Sequence, residues 1–263
     1  MKLTQFEIKN QVATLTLNSP ANRNALSIAM RDEIVDALAQ VREDRSIRAL
    51  VLAGAGGHFS AGGDLRGIAA SADLGNQGWR DRFHDLHHWL KDLLTLDRPV
   101  IAAVDGVAYG AGFSFALAAD FVLATPKARF CMSFMRVGLV PDFGAFHTLP
   151  RIVGVQRAKE IMLSAREVSA AEALQLGIVM ELHEPEALIA RAQTLAASFV
   201  KASPVAVSLV KRALGGAMGA DLPAMLDIES NAQAIAACTQ EHSIAVNRFL
   251  NKEPALFQWP AKS

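Results

Sequence analysis

Two stretches of this chain set glycines where a main chain can come close to a ligand. They are His58-Phe59-Ser60-Ala61-Gly62-Gly63-Asp64-Leu65 and Gly106-Val107-Ala108-Tyr109-Gly110-Ala111-Gly112-Phe113. Each follows an apolar, strand-like run and leads into a helix start. Glycine lets the backbone turn tightly and lets another group approach it. A helix N-terminus then presents free N–H groups carrying partial positive charge. Neither stretch is a phosphate-cradling loop, because no Gly-Lys-Ser/Thr follows, and neither has the full dinucleotide spacing. One such turn is ordinarily just a turn. Two that feed one sheet can converge on one oxygen, which is how an oxyanion hole is built.

The titratable side chains offer several further candidates. Asp142, in Gly138-Leu139-Val140-Pro141-Asp142-Phe143-Gly144, reads by itself as a turn residue after proline. Pro141 stiffens that turn, and Phe143 and Phe146 would supply an apolar wall that raises the carboxyl pKa. His84, His87 and His88 share an amphipathic stretch with Trp79, Phe83 and Trp89. Three histidines suggest a metal, but no Cys or carboxylate completes a ligand set, so a solvated or pocket-lining helix face is the better reading. Tyr109, the sole tyrosine, sits inside the second turn and either lines the site or simply packs. Arg23 is an exposed loop arginine or a phosphate partner. His58 reads as a surface loop residue, and His147 and Cys131 are assigned no chemistry.

Positioning these residues requires alternating strands and helices. Phe6-Glu7-Ile8 and Val12 to Leu17 alternate as half-buried strands around a turn at Asn10-Gln11. Met30, Ile34, Leu38 and Val41 recur at helical spacing, with Asp32 and Glu33 near the start of that helix, where its dipole favours them. Ala49 to Ala53 and Val100 to Val104 are short apolar strands. Helices are expected from Leu65, over Trp79 to Leu96 and over Gly112 to Ala119. This alternation marks crossover units around a largely parallel sheet. From about residue 155 the pattern is helical, with a capping box at Ser169-Ala170-Ala171-Glu172 and a stop at Gly177. Pro185 and Pro204 occupy first-turn positions, and helical stretches are expected over 186–202, 204–214 and 222–250, the last one broken. The apolar faces of these last helices either pack on the core or form a subunit interface.

Composition narrows the partners. Twenty-six basic residues balance 26 acidic ones, so bulk charge gives no footprint for nucleic acid or an anionic membrane surface. The longest apolar run, Val100 to Ala124, is interrupted by Asp105, Asp120 and glycines and reads as a buried strand–turn–helix, not a membrane span. Met1 to Asn10 lacks an apolar signal core, and Cys131 and Cys238 are too few for a disulfide framework. A cytoplasmic protein is expected.

Seven segments, in order, resemble the enoyl-CoA hydratase/isomerase (crotonase) superfamily. They are Asn24-Ala25-Leu26-Ser27, Phe59 to Leu65, Arg98 to Gly106, Gly110-Ala111-Gly112, Leu149 to Gly154, Ala170 to Gly177, and Phe249 to Glu253. Together they cover nearly the whole chain. The resemblance implies an α/β fold, a spiral of ββα units with a C-terminal helical layer. The expected division is a spiral core over 1–200 and a helical oligomerisation region over 201–263. It implies a homotrimer or a dimer of trimers. It makes the N–H groups of Gly63 and Ala111 the oxyanion hole. It lays the coenzyme A of an acyl thioester along Asn22, Arg23 and Ala25 and along Ala61, Asp64 and Leu65, with Tyr109 and Phe134 near the thioester. Phe249 and Lys252 would contribute from a neighbouring subunit. No cofactor is required, since coenzyme A enters as part of the substrate.

The chain departs from the two-glutamate hydratase pattern. The positions that resemblance assigns to the two acids hold Ser114 and Phe134, neither of which can act as a carboxylate base on water. Asp142 then becomes the candidate acid, as in relatives that move a double bond with one carboxylate. An enoyl-CoA isomerase that stabilises a thioester enolate is the leading expectation. The alternatives are a hydratase using Asp142 alone, a 4-chlorobenzoyl-CoA dehalogenase-like hydrolase with Asp142 as nucleophile and His87 as its base, and a non-catalytic acyl-CoA- or RNA-binding relative.

Overall fold

The computed structural model describes residues 2–261. Strands β1 (Thr4–Lys9) and β2 (Val12–Leu17) form an antiparallel hairpin through Asn10 and Gln11, both at positive φ as a tight mirror-image turn requires. Helix α1 (Ile28–Glu43) starts at Ser27, whose hydroxyl accepts from the Met30 N–H, and buries the stripe Met30, Ile34, Leu38, Val41. Glu33 does more than face the helix dipole. It accepts from the backbone N–H groups of Leu3 and Thr4 and ties α1 to β1.

The spiral then turns repeatedly. Strand β3 (Ala49–Gly54) leads through the first glycine turn to the short α2 (Leu65–Ala69) and to α3 (Gly75–Leu94). The next turn is β4 (Val100–Val104), β5 (Val107–Tyr109) and α4 (Ala111–Leu117). The third is β6 (Phe121–Ala124), β7 (Arg129–Cys131) and α5 (Ala145–Ser164). After β8 (Glu167–Ser169) and α6 (Ala170–Gln175), β9 (Glu181–Leu182) precedes α7 (Pro185–Ser198). The larger sheet runs β1-β2-β3-β4-β6-β9, parallel apart from the first pair, and the smaller runs β5-β7-β8. In the second and third turns, one strand joins the large sheet and the next joins the small one. This is the α/β spiral of ββα units that the sequence motifs imply.

Several elements differ from the sequence expectation. Strands β6 and β7 are short and buried, so they carry no alternation to read. Strands β8 and β9 interrupt the region expected to be wholly helical, and α5 begins earlier, at Ala145. The capping box is half made. Ser169 accepts from the Glu172 N–H, but the Glu172 carboxylate turns to Arg166.

Helices α8 (Pro204–Gly216), α9 (Leu222–Ala237) and α10 (Gln240–Leu250) bury no residue within the chain. Val210, Leu214, Leu226, Ile235 and Phe249 are all exposed there. The last residues return to the core. Trp259 packs on Phe121 and Phe257 on Phe199, and Arg191, paired with Glu181, also donates to the Ala261 carbonyl. Residues 201–261 are therefore an exposed helical arm followed by a tail that docks on the core. No single helix among the described residues is long and apolar enough to cross a membrane.

Candidate functional site

The two glycine turns interlock through atoms that only glycine leaves room for. A Cβ on Gly62, whose φ is +94°, would stand 2.5 Å from the Tyr109 carbonyl oxygen and 3.3 Å from the Ala111 nitrogen. A Cβ on Gly112 would stand 2.6 Å from the Ser60 carbonyl oxygen. The turns are also stitched by hydrogen bonds: Ser60 N–H donates to the Val107 carbonyl and Tyr109 N–H to the Ser60 carbonyl. Gly63 itself is less confined, since its Cβ would meet only the Ile68 Cδ1, at 3.2 Å. The N–H groups of Gly63 and Ala111 find no acceptor among the described residues. Ala111 is the first residue of α4, where an N–H has no partner within the helix.

A third strand-like run supports the first turn. Leu26 N–H donates to the Gly62 carbonyl, Ala61 N–H donates to the Arg23 carbonyl, and Leu26 bridges Gly63 in parallel register. The segments holding Asn22, Arg23 and Ala25 and holding Ala61, Asp64 and Leu65 thus lie side by side. Asn24, fully buried, fixes the arrangement. Its Nδ2 donates to the carbonyls of Ala55 and His58, and its Oδ1 accepts from the Ser19 N–H. Ser60 Oγ donates to the Asn24 carbonyl and accepts from the Gly62 N–H. The bracing role of Asn24 and Ser60 lies in contacts between distant segments, which the sequence by itself does not display. Asp64 caps α2 by accepting from the Arg66 N–H.

The positions expected to hold glutamates contain no acid and no free polar group. Ser114 is fully buried, and its hydroxyl donates to the Gly110 carbonyl within α4. Phe134 is buried, with its ring tip 3.8 Å from where a Gly110 Cβ would stand, so an apolar edge flanks the second turn. Tyr109 sends its hydroxyl across the small sheet to donate to Glu167, and burial followed by that carboxylate pushes its pKa up to about 12. Its polar atom is committed there.

Asp142 lies in the loop before α5, held by the Ala145 N–H donating to its carbonyl. The next residue, Phe143, is fully buried at φ 56°, in edge-on contact with Trp89 at 4.7 Å and Phe115 at 5.7 Å. That apolar wall is the one expected from the sequence, with one correction: Phe146 points out and is 61% exposed, because α5 rotates it away from the core. Burial pushes the Asp142 carboxyl up to about 6, while the guanidinium groups of Arg31 and Arg82 pull the other way. Its Oδ1 is shielded from solvent and has no hydrogen-bond partner.

The remaining candidates lie elsewhere. His84, His87 and His88 are exposed on α3. His87 and His147 line a cleft of about 1040 Å³ between α3, α5 and α8, together with Lys91, Arg151 and Lys211. The charged side chains acting on Asp142 are instead Arg31 and Arg82, which sequence reading missed because neither falls in a motif. Phe249 is 82% exposed on α10, and Lys252 follows that helix at positive φ.

Comparison with known proteins agrees with this fold. The sequence model described as enoyl-CoA hydratase/isomerase matches residues 7–260. The chain is 34% identical to the 1,2-epoxyphenylacetyl-CoA isomerase of Escherichia coli over 98% of each protein. It is 35% identical to a probable enoyl-CoA hydratase of Rhodobacter capsulatus over 96% of each. A crystal structure of an enoyl-CoA hydratase/isomerase from Cupriavidus metallidurans superposes with a TM-score of 0.96 at 44% identity, covering 100% of this chain and 99% of that one.

Proposed function

This chain belongs to the enoyl-CoA hydratase/isomerase family, and from that premise we propose that it moves a carbon–carbon double bond within an enoyl-CoA thioester, with Asp142 as the single acid–base group. The ionised Asp142 takes a proton from the α-carbon of a 3-enoyl-CoA. The electron pair delocalises over the dienyl system onto the thioester oxygen. The N–H groups of Gly63 and Ala111 donate to that oxygen and hold it more tightly as an enolate than as a carbonyl. Asp142 then returns the same proton to the γ-carbon, leaving a 2-enoyl-CoA. No cofactor takes part.

One observation carries this reading: Asp142, next to the Phe143 that packs on Phe115 of α4, has a carboxyl shielded and unpartnered at Oδ1, while the two positions where a hydratase would hold glutamates are the bonded Ser114 and the apolar Phe134. A carboxyl with a pKa of about 6 is a stronger base than an ordinary Asp, yet is still ionised at neutral pH. Asn22, Arg23, Ala25, Ala61, Asp64 and Leu65 form the edge we assign to coenzyme A, and the ring of Phe134 and the backbone around Tyr109 flank the thioester. Hydration is the second reading, favoured by the hydratase name of the Rhodobacter capsulatus relative. The two are separated by rates on a 3-enoyl-CoA and on crotonyl-CoA. Isomerisation is expected to exceed hydration by about 100-fold or more, because water has no second carboxylate to activate it. Fast crotonyl-CoA hydration that survives Asp142→Asn would overturn the isomerase reading.

We further assign the exposed arm of α8, α9 and α10 to a homotrimer or a dimer of trimers, with Phe249 and Lys252 reaching a neighbour's coenzyme A. Support comes from the apolar side chains that these helices leave uncovered. Light scattering at micromolar concentration should give three or six times the chain mass, and a monomer would remove the assignment. The free Cys131 and Cys238 fit a reducing cytoplasm.

A further inference from the structure

Two shielded polar atoms, one in the acid loop and one on a residue whose charge acts on it, have no hydrogen-bond partner. Arg31 projects from the first turn of α1, just after the run that bridges Gly63, and its Nε is shielded from solvent without a hydrogen-bond acceptor. Asp142 Oδ1 is the other. Arg31 and Asp142 act on each other through space and share no hydrogen bond. Arg82, from α3, completes the group. It donates to Ser71 Oγ, and its guanidinium lies 5.5 Å from the centre of the Trp79 ring, which itself stacks on Phe83. Asp32 contributes a weaker field on Arg31. Two guanidinium groups and one carboxyl therefore leave this apolar-walled place with spare positive charge and spare N–H donors.

A plain hydrocarbon chain offers nothing to the shielded Arg31 Nε–H, and a buried donor left unpaired is costly. We propose that Arg31 and Arg82 make this site select an acyl group that carries an acceptor oxygen beyond the thioester, a carboxylate above all, over a hydrocarbon chain of the same length. The oxygen would accept from Arg31 Nε–H and from the Arg82 guanidinium, while the neighbouring carbons stand at Asp142. This selectivity rests on the acyl-CoA reading of the site but not on the isomerase step, so binding alone can test it.

The probes are saturated thioesters in matched pairs: succinyl- with butyryl-CoA, glutaryl- with valeryl-CoA, and adipoyl- with hexanoyl-CoA. 6-Hydroxyhexanoyl-CoA serves as a neutral oxygen control. None of them can isomerise, so a failed isomerase assignment would leave the titrations intact. At the chain length that reaches the arginines, the dicarboxylic thioester is expected to bind about 10- to 100-fold tighter than its hydrocarbon partner, the usual worth of hydrogen bonds to charged groups. The hydroxyl probe should fall between them if charge contributes, or match the carboxylate if only the acceptor matters. Either result supports the shared chemistry. Arg31→Met and Arg82→Met should each shrink the preference to within about threefold, with hydrocarbon thioesters still binding within several-fold of wild type. If Arg31→Met does not fold, the wild-type ratios and Arg82→Met decide. Equal or tighter binding of every hydrocarbon partner by the wild type, or a preference that survives loss of the arginines, would overturn the proposal and leave them as neighbours that only tune Asp142.

Discussion

Asp142→Asn is expected to lower turnover of a 3-enoyl-CoA by roughly 10²–10⁴, the ordinary worth of a positioned acid–base group, while acyl-CoA affinity stays within several-fold. The amide keeps the shape of the side chain and cannot take the α-proton. The measurement pairs a binding titration with a saturated thioester and solvent-deuterium exchange at the α-carbon followed by NMR. Exchange at the wild-type rate in the variant would return Asp142 to an ordinary turn residue. In the wild type, kcat/KM should fall as pH drops through about 6, where the buried carboxyl takes up its proton. The same substitution should change stability in a direction set by linkage. The folded carboxyl sits at about 6, above the roughly 3.9 of an unfolded Asp. The folded state therefore binds this proton more tightly, and ionising the group costs stability at neutral pH. That cost is fully present above the folded value and disappears as pH falls toward the unfolded one. Asp142→Asn should melt at or above the wild-type temperature at pH 7 to 8, with the gap closing between about pH 6 and pH 4. A variant much less stable at pH 8 than at pH 5, relative to wild type, would contradict the buried, unpaired carboxyl.

Gly62→Ala is the second change with a large expected effect. Its Cβ would enter within 2.5 Å of the Tyr109 carbonyl oxygen at a φ of +94°, a conformation that L-residues rarely adopt. The obstacle is backbone, so no side-chain motion relieves it. The first turn must shift away from the second, and under the proposed mechanism the Gly63 and Ala111 donors would then no longer serve one thioester oxygen. Displacing one oxyanion donor ordinarily costs about 10²–10³ in turnover. The strain should also remove about 2–4 kcal/mol of stability. Gly63→Ala provides the control for stability. Its methyl meets only the flexible Ile68 Cδ1 at 3.2 Å, so its cost should stay below about 1 kcal/mol. Denaturant melts of both variants, alongside turnover, test the pair. Equal stability for the two would mean that the turns are not interlocked at Gly62.

Much of this site was legible in the residues themselves. The glycine turns pointed to free N–H groups because two of them feed one fold and each leads into a helix start, where N–H groups lack partners. The family resemblance, and not the residues alone, drew attention to the absence of acid at Ser114 and Phe134 and made Asp142 the candidate carboxyl. Phe143 marked the apolar wall, and it is buried against Trp89 and Phe115. The alternating strands and helices of the first half, together with the motif order, determined the α/β spiral.

Other features arise only when distant segments meet. Gly62 looks like its neighbour Gly63 in the sequence, and only the approach of Tyr109 and Ala111 distinguishes them. Asn24 owes its importance to Ala55 and His58, whose carbonyls it satisfies across the fold. Strands β6, β7, β8 and β9 are short pieces of sheet whose register comes from their partners and not from any alternation of their own. Phe146 has the composition of a wall residue, but the rotation of α5 turns it to solvent. Arg31 and Arg82 belong to no motif and lie on separate helices. Sequence determines that they are cations. Tertiary packing brings them to one carboxyl and strips water from Arg31 and Asp142, because desolvation and through-space charge depend on distance and burial, and neither is encoded in local order.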